Sequence, residues 1–174
     1  MIRYKKIEYI ITGALIAAAY AGLTYLCNAF GLAYGPIQLR LSEILTILPV
    51  FTPAAIPGLT IGCFLANIGS FNAVDMVFGT AATLLAALLT YYLKDFKVKG
   101  IPIWAFLPPV IVNAVIIGLE IAIFFLPDVD IWWGFVISGL QVGAGQLIVC
   151  FVFGIPFYLV VKKYRIFERR YFKK

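Results

Sequence analysis

The sequence predicts an all-α integral membrane protein with six transmembrane helices and with both termini in the cytoplasm. Of its 174 residues, 63% are hydrophobic and only 13% are charged, whereas a soluble domain is about half apolar and about a quarter charged. The apolar residues form long runs that are separated by short polar breaks. The chain length suits a single transmembrane domain of six helices, each of about 20 residues.

Six apolar segments follow one another along the chain. The first comes after Arg3, Lys5 and Lys6. It is longer than the apolar region of about 7–15 residues in a signal peptide, so we expect it to be retained as a helix. Successive prolines at 49, 53 and 57 predict a turn between the second and third segments. The predicted helices span about 8–30, 39–52, 57–71, 75–93, 103–126 and 132–161.

The basic residues predict the orientation. All of them except Arg40 fall in three segments: at the N-terminus, between residues 94 and 99, and after residue 161. An even number of spans places these three segments on one side, which the positive-inside rule identifies as the cytoplasm. The sequence therefore predicts a multi-pass protein of the inner or plasma membrane of a prokaryote. The positive charge is explained by this topology, and nucleic-acid binding is not expected.

The residue types exclude several kinds of chemistry. The chain has no histidine, and its three cysteines, Cys27, Cys63 and Cys150, are far apart in apolar runs. Neither a metal site nor a dithiol redox site is expected from that spacing, and buried cysteines commonly act as small hydrophobic residues. The sequence also lacks the phosphate-binding loop of ATPases. We therefore expect no catalysis, no metal and no cofactor in this chain.

Polar side chains inside the spans are the candidate binding residues, because such groups are costly in a membrane and need a partner. Asn113 and Glu120 are seven residues apart and so share one helical face. All the candidates lie in the predicted outer half of the bundle or near its middle, which predicts a pocket open to the outside with an apolar floor. The alternative is that they bond helices together, with Arg40 and Glu43 as an interfacial ion pair. The candidates are Arg40, Glu43, Asn67, Asp75, Asn113, Glu120, Gln141 and Gln146.

A stripe of small residues follows one face of the first predicted helix. Its members recur at i, i+3, i+4, i+7 and i+8, which allows another helix to approach closely. That second helix belongs either to this chain or to a partner. Gly139 and Gly143 form a similar pair, which we interpret as internal packing. The stripe consists of Ala14, Ala17, Ala18, Ala21 and Gly22.

These features together resemble the S-components of energy-coupling factor (ECF) transporters, and in particular the QueT family of proposed importers of queuosine precursors. The resemblance covers the whole chain. It is carried by Arg40-Leu41-Ser42-Glu43, by Ile61-Gly62-Cys63-Phe64-Leu65-Ala66-Asn67-Ile68 and by Asp75-Met76-Val77-Phe78-Gly79-Thr80.

The resemblance implies a function and a set of partners. S-components bind a micronutrient and dock on a transmembrane coupling subunit through Ala-x-x-x-Ala, matched here by Ala14/Ala18 and Ala17/Ala21. Two ATPase subunits, which use the ATP, complete the complex. The S-component is thought to topple in the membrane and so carry its pocket to the cytoplasm. An apolar floor without an inner polar path agrees with that mechanism.

The resemblance also implies a deazaguanine ligand. The Watson–Crick edge of such a base presents adjacent N–H donors that a carboxylate accepts bidentately. Glu120 is the carboxylate we predict to accept them, with Glu43 and Asp75 as rivals. The candidate residues also suit another vitamin, such as thiamin or riboflavin.

Two other classes of protein stay open at this point. A stand-alone channel or carrier would need a polar route through the inner half, for which Asn113 and Gln146 are the candidates. An intramembrane enzyme would pair Glu120 with Glu43 or Asp75, but no motif of defined spacing supports it.

Overall fold

The computed structural model describes residues 2–31, 40–69 and 72–167, with side chains from Lys5 onward. These residues form helices and no β-strand, so the all-α prediction is confirmed for them. The elements are α1 (Ile2–Ala29), a 3-10 helix (Leu41–Val50), α2 (Ala55–Ile68), α3 (Ala73–Tyr92), a 3-10 turn (Ile103–Phe106), α4 (Leu107–Phe124), α5 (Ile131–Leu147), a π-helix (Ile148–Phe153) and α6 (Gly154–Lys163).

Four helical stretches of the described residues are long and apolar enough to cross a membrane. They are Lys5–Ala29, Ala73–Tyr92, Ile103–Phe124 and Ile131–Lys163. The 3-10 helix and α2 are apolar but shorter. The expectation of six spans, and of both termini on the cytoplasmic side, therefore stays a prediction.

The second predicted segment, 39–52, differs most from expectation. Its first residue lies outside the described residues, and the rest forms the 3-10 helix Leu41–Val50, with Pro49 inside it. Ten residues at a rise of about 2 Å each extend about 20 Å, short of a hydrocarbon core about 30 Å thick. Most of its side chains are buried among the other helices. Its apolar sequence therefore reflects burial in protein rather than contact with lipid.

The last predicted helix is observed as three joined elements, α5, the π-helix and α6. Together they form one stretch of 33 residues, Ile131–Lys163. Pro156 has no N–H to donate to the carbonyl of Val152, four residues earlier, so regular α-helical bonding cannot continue through this point. A local π-helix is one way in which a helix absorbs such an interruption.

Close approach at glycines holds neighbouring helices together. A Cβ added at Gly118 of α4 would lie 2.8 Å from the Cα of Gly139 in α5. A Cβ at Gly62 of α2 would lie 2.9 Å from the carbonyl oxygen of Ala17 in α1. These contacts are backbone to backbone, and they confirm that Gly139 serves packing within the chain.

Three basic segments meet at one end of the bundle. Lys162 Nζ donates to the carbonyl oxygen of Gly100 at 3.0 Å, so the polar loop after α3 adjoins the end of α6. At the start of α1, Tyr9 donates to the carbonyl oxygen of Pro53 at 3.3 Å. The ring of Phe51 packs on Phe167, which follows α6. The C-terminal end of α2 and the N-terminal end of α3 therefore lie at the opposite end.

The outer surface is apolar and much of the polarity is inside. Large side chains such as Ile10, Val77 and Leu140 are more than 60% exposed. Glu43, Asn67 and Glu120, in contrast, are buried. This distribution is opposite to that of a soluble protein and is expected for a bundle surrounded by lipid.

Candidate ligand-binding site

A polar cavity lies between the 3-10 helix and α2 to α5, toward the end of the bundle opposite the basic segments. It brings together seven of the eight predicted binding residues. The eighth, Gln141, does not line it and is partly exposed on α5. The lining residues are Arg40, Glu43, Cys63, Asn67, Asp75, Gly79, Thr83, Asn113, Ile117, Glu120, Val142 and Gln146.

Helical periodicity explains the lining residues that sequence reasoning missed. Gly79 and Thr83 follow Asp75 at i+4 and i+8 and therefore share its face of α3. Cys63 precedes Asn67 by one turn, and Val142 precedes Gln146 by one turn. Extending each polar position by one or two turns along its helix would have found these residues.

Glu43 is held by donors from two other helices. Its Oε1 accepts a hydrogen bond from the hydroxyl of Tyr20, which is fully buried on α1. Its Oε2 accepts from Gln146 Nε2 at 2.6 Å. Thr46 donates to the backbone carbonyl of Glu43 at 2.6 Å. Both carboxylate oxygens thus have partners within the fold, which joins α1, the 3-10 helix and α5.

Asn67 organises the end of the cavity formed by α2 and α3. Its Oδ1 accepts from the guanidinium of Arg40 at 3.1 Å. Its Nδ2 donates to the backbone carbonyl of Asp75 at 2.9 Å. A Cβ at Gly79 would lie only 2.5 Å from that nitrogen. Gly79 therefore makes room for the Asn67 amide, which in turn fixes the start of α3 where Asp75 lies.

Glu120, in contrast to Glu43, is not held by hydrogen-bond donors from the described part of the fold. Its side chain is fully buried, and neither carboxylate oxygen accepts a hydrogen bond from any described residue. The charged groups that interact with it are the carboxylate of Asp75 and the guanidinium of Arg40. A buried carboxylate without donors is costly. The arrangement is expected where a ligand supplies the missing donors.

The cavity is compact. Its volume is about 20 Å³, and about 10–15 Å³ is needed to hold one water molecule. A bicyclic base therefore requires lining side chains to move apart. Among the described residues, no three histidine, cysteine, aspartate or glutamate side chains are grouped so as to hold a metal ion.

The stripe of small residues on α1 is divided between two environments. Ala17 and Ala21 are buried, and Ala17 contacts the backbone of α2 at Gly62. Ala14, Ala18 and Gly22 are exposed. An apolar groove runs beside this exposed edge, between α1 and α2. Two of the five stripe residues therefore pack within the chain, and the other three face outward.

The apolar exterior, the four candidate spans and the buried polar cavity define a class of protein: a helical membrane protein with a polar cavity in its interior. The chain matches the QueT transporter family over residues 10–163, and it therefore belongs to that family of membrane transporters. It is 40% identical over 86 residues to the Queuosine precursor transporter QueT of Lactococcus lactis subsp. cremoris (strain MG1363).

That match covers 49% of this chain and 51% of the relative, so the chain spans about half the length of the curated protein it matches. No solved structure matches the chain at a significant level.

Proposed function

We propose that this chain is the substrate-binding S-component of an ECF-type importer, which captures a queuosine precursor from outside the cell. In this proposal it lies in the plasma membrane of a prokaryote and catalyses no reaction itself. A transmembrane coupling subunit and two ATPase subunits complete the importer. The observation that carries the proposal is Glu120, a buried carboxylate in the lining of a polar cavity to which no described residue donates a hydrogen bond.

The chemistry of a deazaguanine base suits this carboxylate. The Watson–Crick edge of the base presents an N–H and an amino group side by side, and a carboxylate accepts both. Those two donors would satisfy both oxygens of Glu120. Asn113 lies on the same face of α4 and offers an amide N–H to the carbonyl of the base. In this arrangement one helix, α4, supplies the hydrogen-bond partners for the Watson–Crick edge and the carbonyl of the base.

Glu43 is a weaker candidate for the same role. Its two oxygens already accept from Tyr20 and Gln146. Each carboxylate oxygen can accept more than one hydrogen bond, but these two bonds fix the orientation of Glu43, so a base edge would have to share acceptors that the fold already uses. We assign Glu43 to the architecture of the site and Glu120 to the ligand. Asp75 interacts with Glu120 in the lining and remains the rival carboxylate.

The partners are proposed from the family resemblance together with the exposed edge of α1. Ala14, Ala18 and Gly22 present small side chains outward at i, i+4 and i+8. Small residues at this spacing allow the backbone of another helix to approach closely. The coupling subunit is the proposed occupant of this edge. Ala17 and Ala21, which are buried, would support it from within the chain.

Replacement of Glu120 by glutamine tests the ligand role. Glu120→Gln keeps the shape of the side chain but turns one acceptor oxygen into a donor that would face a ligand donor. Loss of a hydrogen bond to a charged group costs about 1.5–3 kcal/mol, so we expect the Kd for a deazaguanine base to rise about tenfold to a hundredfold. Calorimetric titration of the purified protein measures this change.

Asp128→Asn is the matched control, because Asp128 is exposed in the loop between α4 and α5 and does not line the cavity. It should bind with wild-type affinity. An unchanged Kd in Glu120→Gln would refute the assignment of this carboxylate, and failure of the wild type to bind any deazaguanine would refute the proposed ligand.

A further inference from the structure

A long groove, here called the α1–α2 groove, runs along the outside of the bundle between these two helices. The helices run in the same direction, because Gly58 adjoins Gly13 and Gly62 adjoins Ala17. Small residues on the facing turns leave the space open, and its volume is about 420 Å³. The lining is apolar throughout, apart from the hydroxyl of Tyr9.

The α1–α2 groove continues into a basic region at the start of α1. This region has a volume of about 410 Å³ and is lined by Lys5, Lys6, Tyr9 and Ile10, the last two of which also line the groove. Both lysine side chains are exposed. Glu8, the acidic residue of the same turn, is not among the lining residues. The combined depression therefore has a cationic end and a long apolar arm.

The apolar arm has the length of one leaflet of a bilayer. Ala18 follows Tyr9 by nine residues, which corresponds to about 14 Å along a helix, and half of a hydrocarbon core about 30 Å thick is about 15 Å. Tyr9 lies where the two parts meet, and tyrosine is enriched at the level of the lipid headgroups. These dimensions match an acyl chain that lies along the helices, with its headgroup beside the lysines.

Another apolar groove shows what distinguishes this one. It lies beside α3 and α4, has a volume of about 460 Å³ and is lined by residues such as Leu93, Trp104 and Ile111, with no charged residue in its described lining. Surrounding lipid can fill such a groove whatever its headgroup. Selection of a charged headgroup is expected where apolar space adjoins basic side chains near the membrane surface.

We propose that the α1–α2 groove binds an anionic phospholipid, with an acyl chain against Ala14, Ala18 and Ile61 and the headgroup phosphate beside Lys5 and Lys6. The lysines supply charge complementarity, and the small residues let the acyl chain lie close to the helix backbones. This site does not depend on the ligand proposed for the polar cavity. Because Ala14 and Ala18 also belong to the edge proposed for the coupling subunit, the lipid must leave when that subunit docks.

Native mass spectrometry of the purified protein, titrated with phosphatidylglycerol or phosphatidylcholine of identical acyl chains, tests the headgroup. A basic side chain near an anionic headgroup contributes about fivefold in affinity. We therefore expect the first phosphatidylglycerol to bind about 25-fold more tightly than phosphatidylcholine, and Lys5→Gln/Lys6→Gln to abolish this preference. The control Lys97→Gln/Lys99→Gln removes two exposed lysines of the polar loop outside the groove and should keep it. Equal affinity of the wild type for both lipids, or equal loss in both double variants, would overturn the proposal.

Ala14→Leu tests the apolar arm. Leucine at this exposed position fills the groove and should lower the affinity for both lipids at least about tenfold. Ala81→Leu, at an exposed alanine of α3 outside the groove, should leave both affinities unchanged. Wild-type affinity in Ala14→Leu would show that the lysines hold a headgroup without the groove and would overturn the site. The lysine variants change only exposed side chains, so they decide the question even if Ala14→Leu fails to fold.

Discussion

At the scale of single residues, two buried glutamates in one cavity have opposite effects on the stability of the fold. Glu43 is bonded to Tyr20 and Gln146 on two different helices, so its charge helps to hold the bundle together. Glu120 is buried without such bonds, so its charge opposes folding until a ligand binds. Functional sites commonly keep a group that destabilises the empty protein because the ligand needs it.

This contrast predicts that the same substitution has different effects on stability at the two positions. In Glu43→Gln, two donors face a side chain with one acceptor oxygen, and the loss of a charge-assisted bond should lower stability by about 1.5–3 kcal/mol. Glu120→Gln removes a buried charge that accepts no hydrogen bond from the described residues, so the stability of the ligand-free protein should stay equal or rise. Thermal unfolding of both variants in the same detergent measures the difference. If both variants are destabilised alike, Glu120 has a structural partner and the ligand assignment is wrong.

At the scale of elements, the contact between α4 and α5 depends on the absence of side chains at its closest point. A Cβ at Gly118 would approach the Cα of Gly139 to 2.8 Å and its nitrogen to 3.0 Å. Neither atom belongs to a flexible side chain, so the two helices would have to separate. Because α4 carries Asn113 and Glu120, and α5 carries Gln146, such a separation would also disturb the cavity.

We therefore predict that Gly118→Ala is destabilising by about 1–3 kcal/mol, as is typical of overpacking. The matched control is Gly22→Ala on α1, where an added Cβ would meet no atom within 4 Å. Alanine favours a helix over glycine by about 0.5–1 kcal/mol, so the control should be neutral or slightly stabilising. Unfolding temperatures of the two variants provide the measurement, and a neutral Gly118→Ala would contradict the observed helix contact.

The elements also show which parts of the structure a sequence can predict. The spacing of Asn113 and Glu120 placed them on one face of a helix, and both line the cavity. For segment 39–52, hydropathy alone does not distinguish a transmembrane helix from a buried 3-10 helix, because lipid and protein interior are both apolar and favour the same residues. The bond between Tyr20 and Glu43 joins positions 23 residues apart on different elements, and no local pattern encodes such a pairing.

At the scale of the whole molecule, the polar cavity and the basic segments lie toward opposite ends of the bundle. The polar cavity lies toward one end, and the N-terminal end of α1, the polar loop 94–100 and the end of α6 meet at the other. Between them, the buried side chains of the described residues are apolar ones, such as Leu45, Leu59 and Val161 of one core cluster, and threonines such as Thr52 and Thr90. An interior without charged or amide side chains on that side of the cavity agrees with a protein that binds its ligand alone and needs partners to move it.

The last prediction concerns adjacent alanines of α1 that face in different directions. Ala18→Leu enlarges the exposed edge and should leave folding and ligand affinity unchanged, while uptake by the assembled transporter is lost and copurification with the coupling subunit weakens. Ala17→Leu, one residue away, overpacks the buried contact with Gly62 and should lower stability by about 1–3 kcal/mol. Unfolding temperature, ligand Kd and uptake into vesicles, measured for both variants, separate docking from folding. If Ala18→Leu supports wild-type uptake, the exposed edge is a lipid-facing surface and the coupling subunit docks elsewhere.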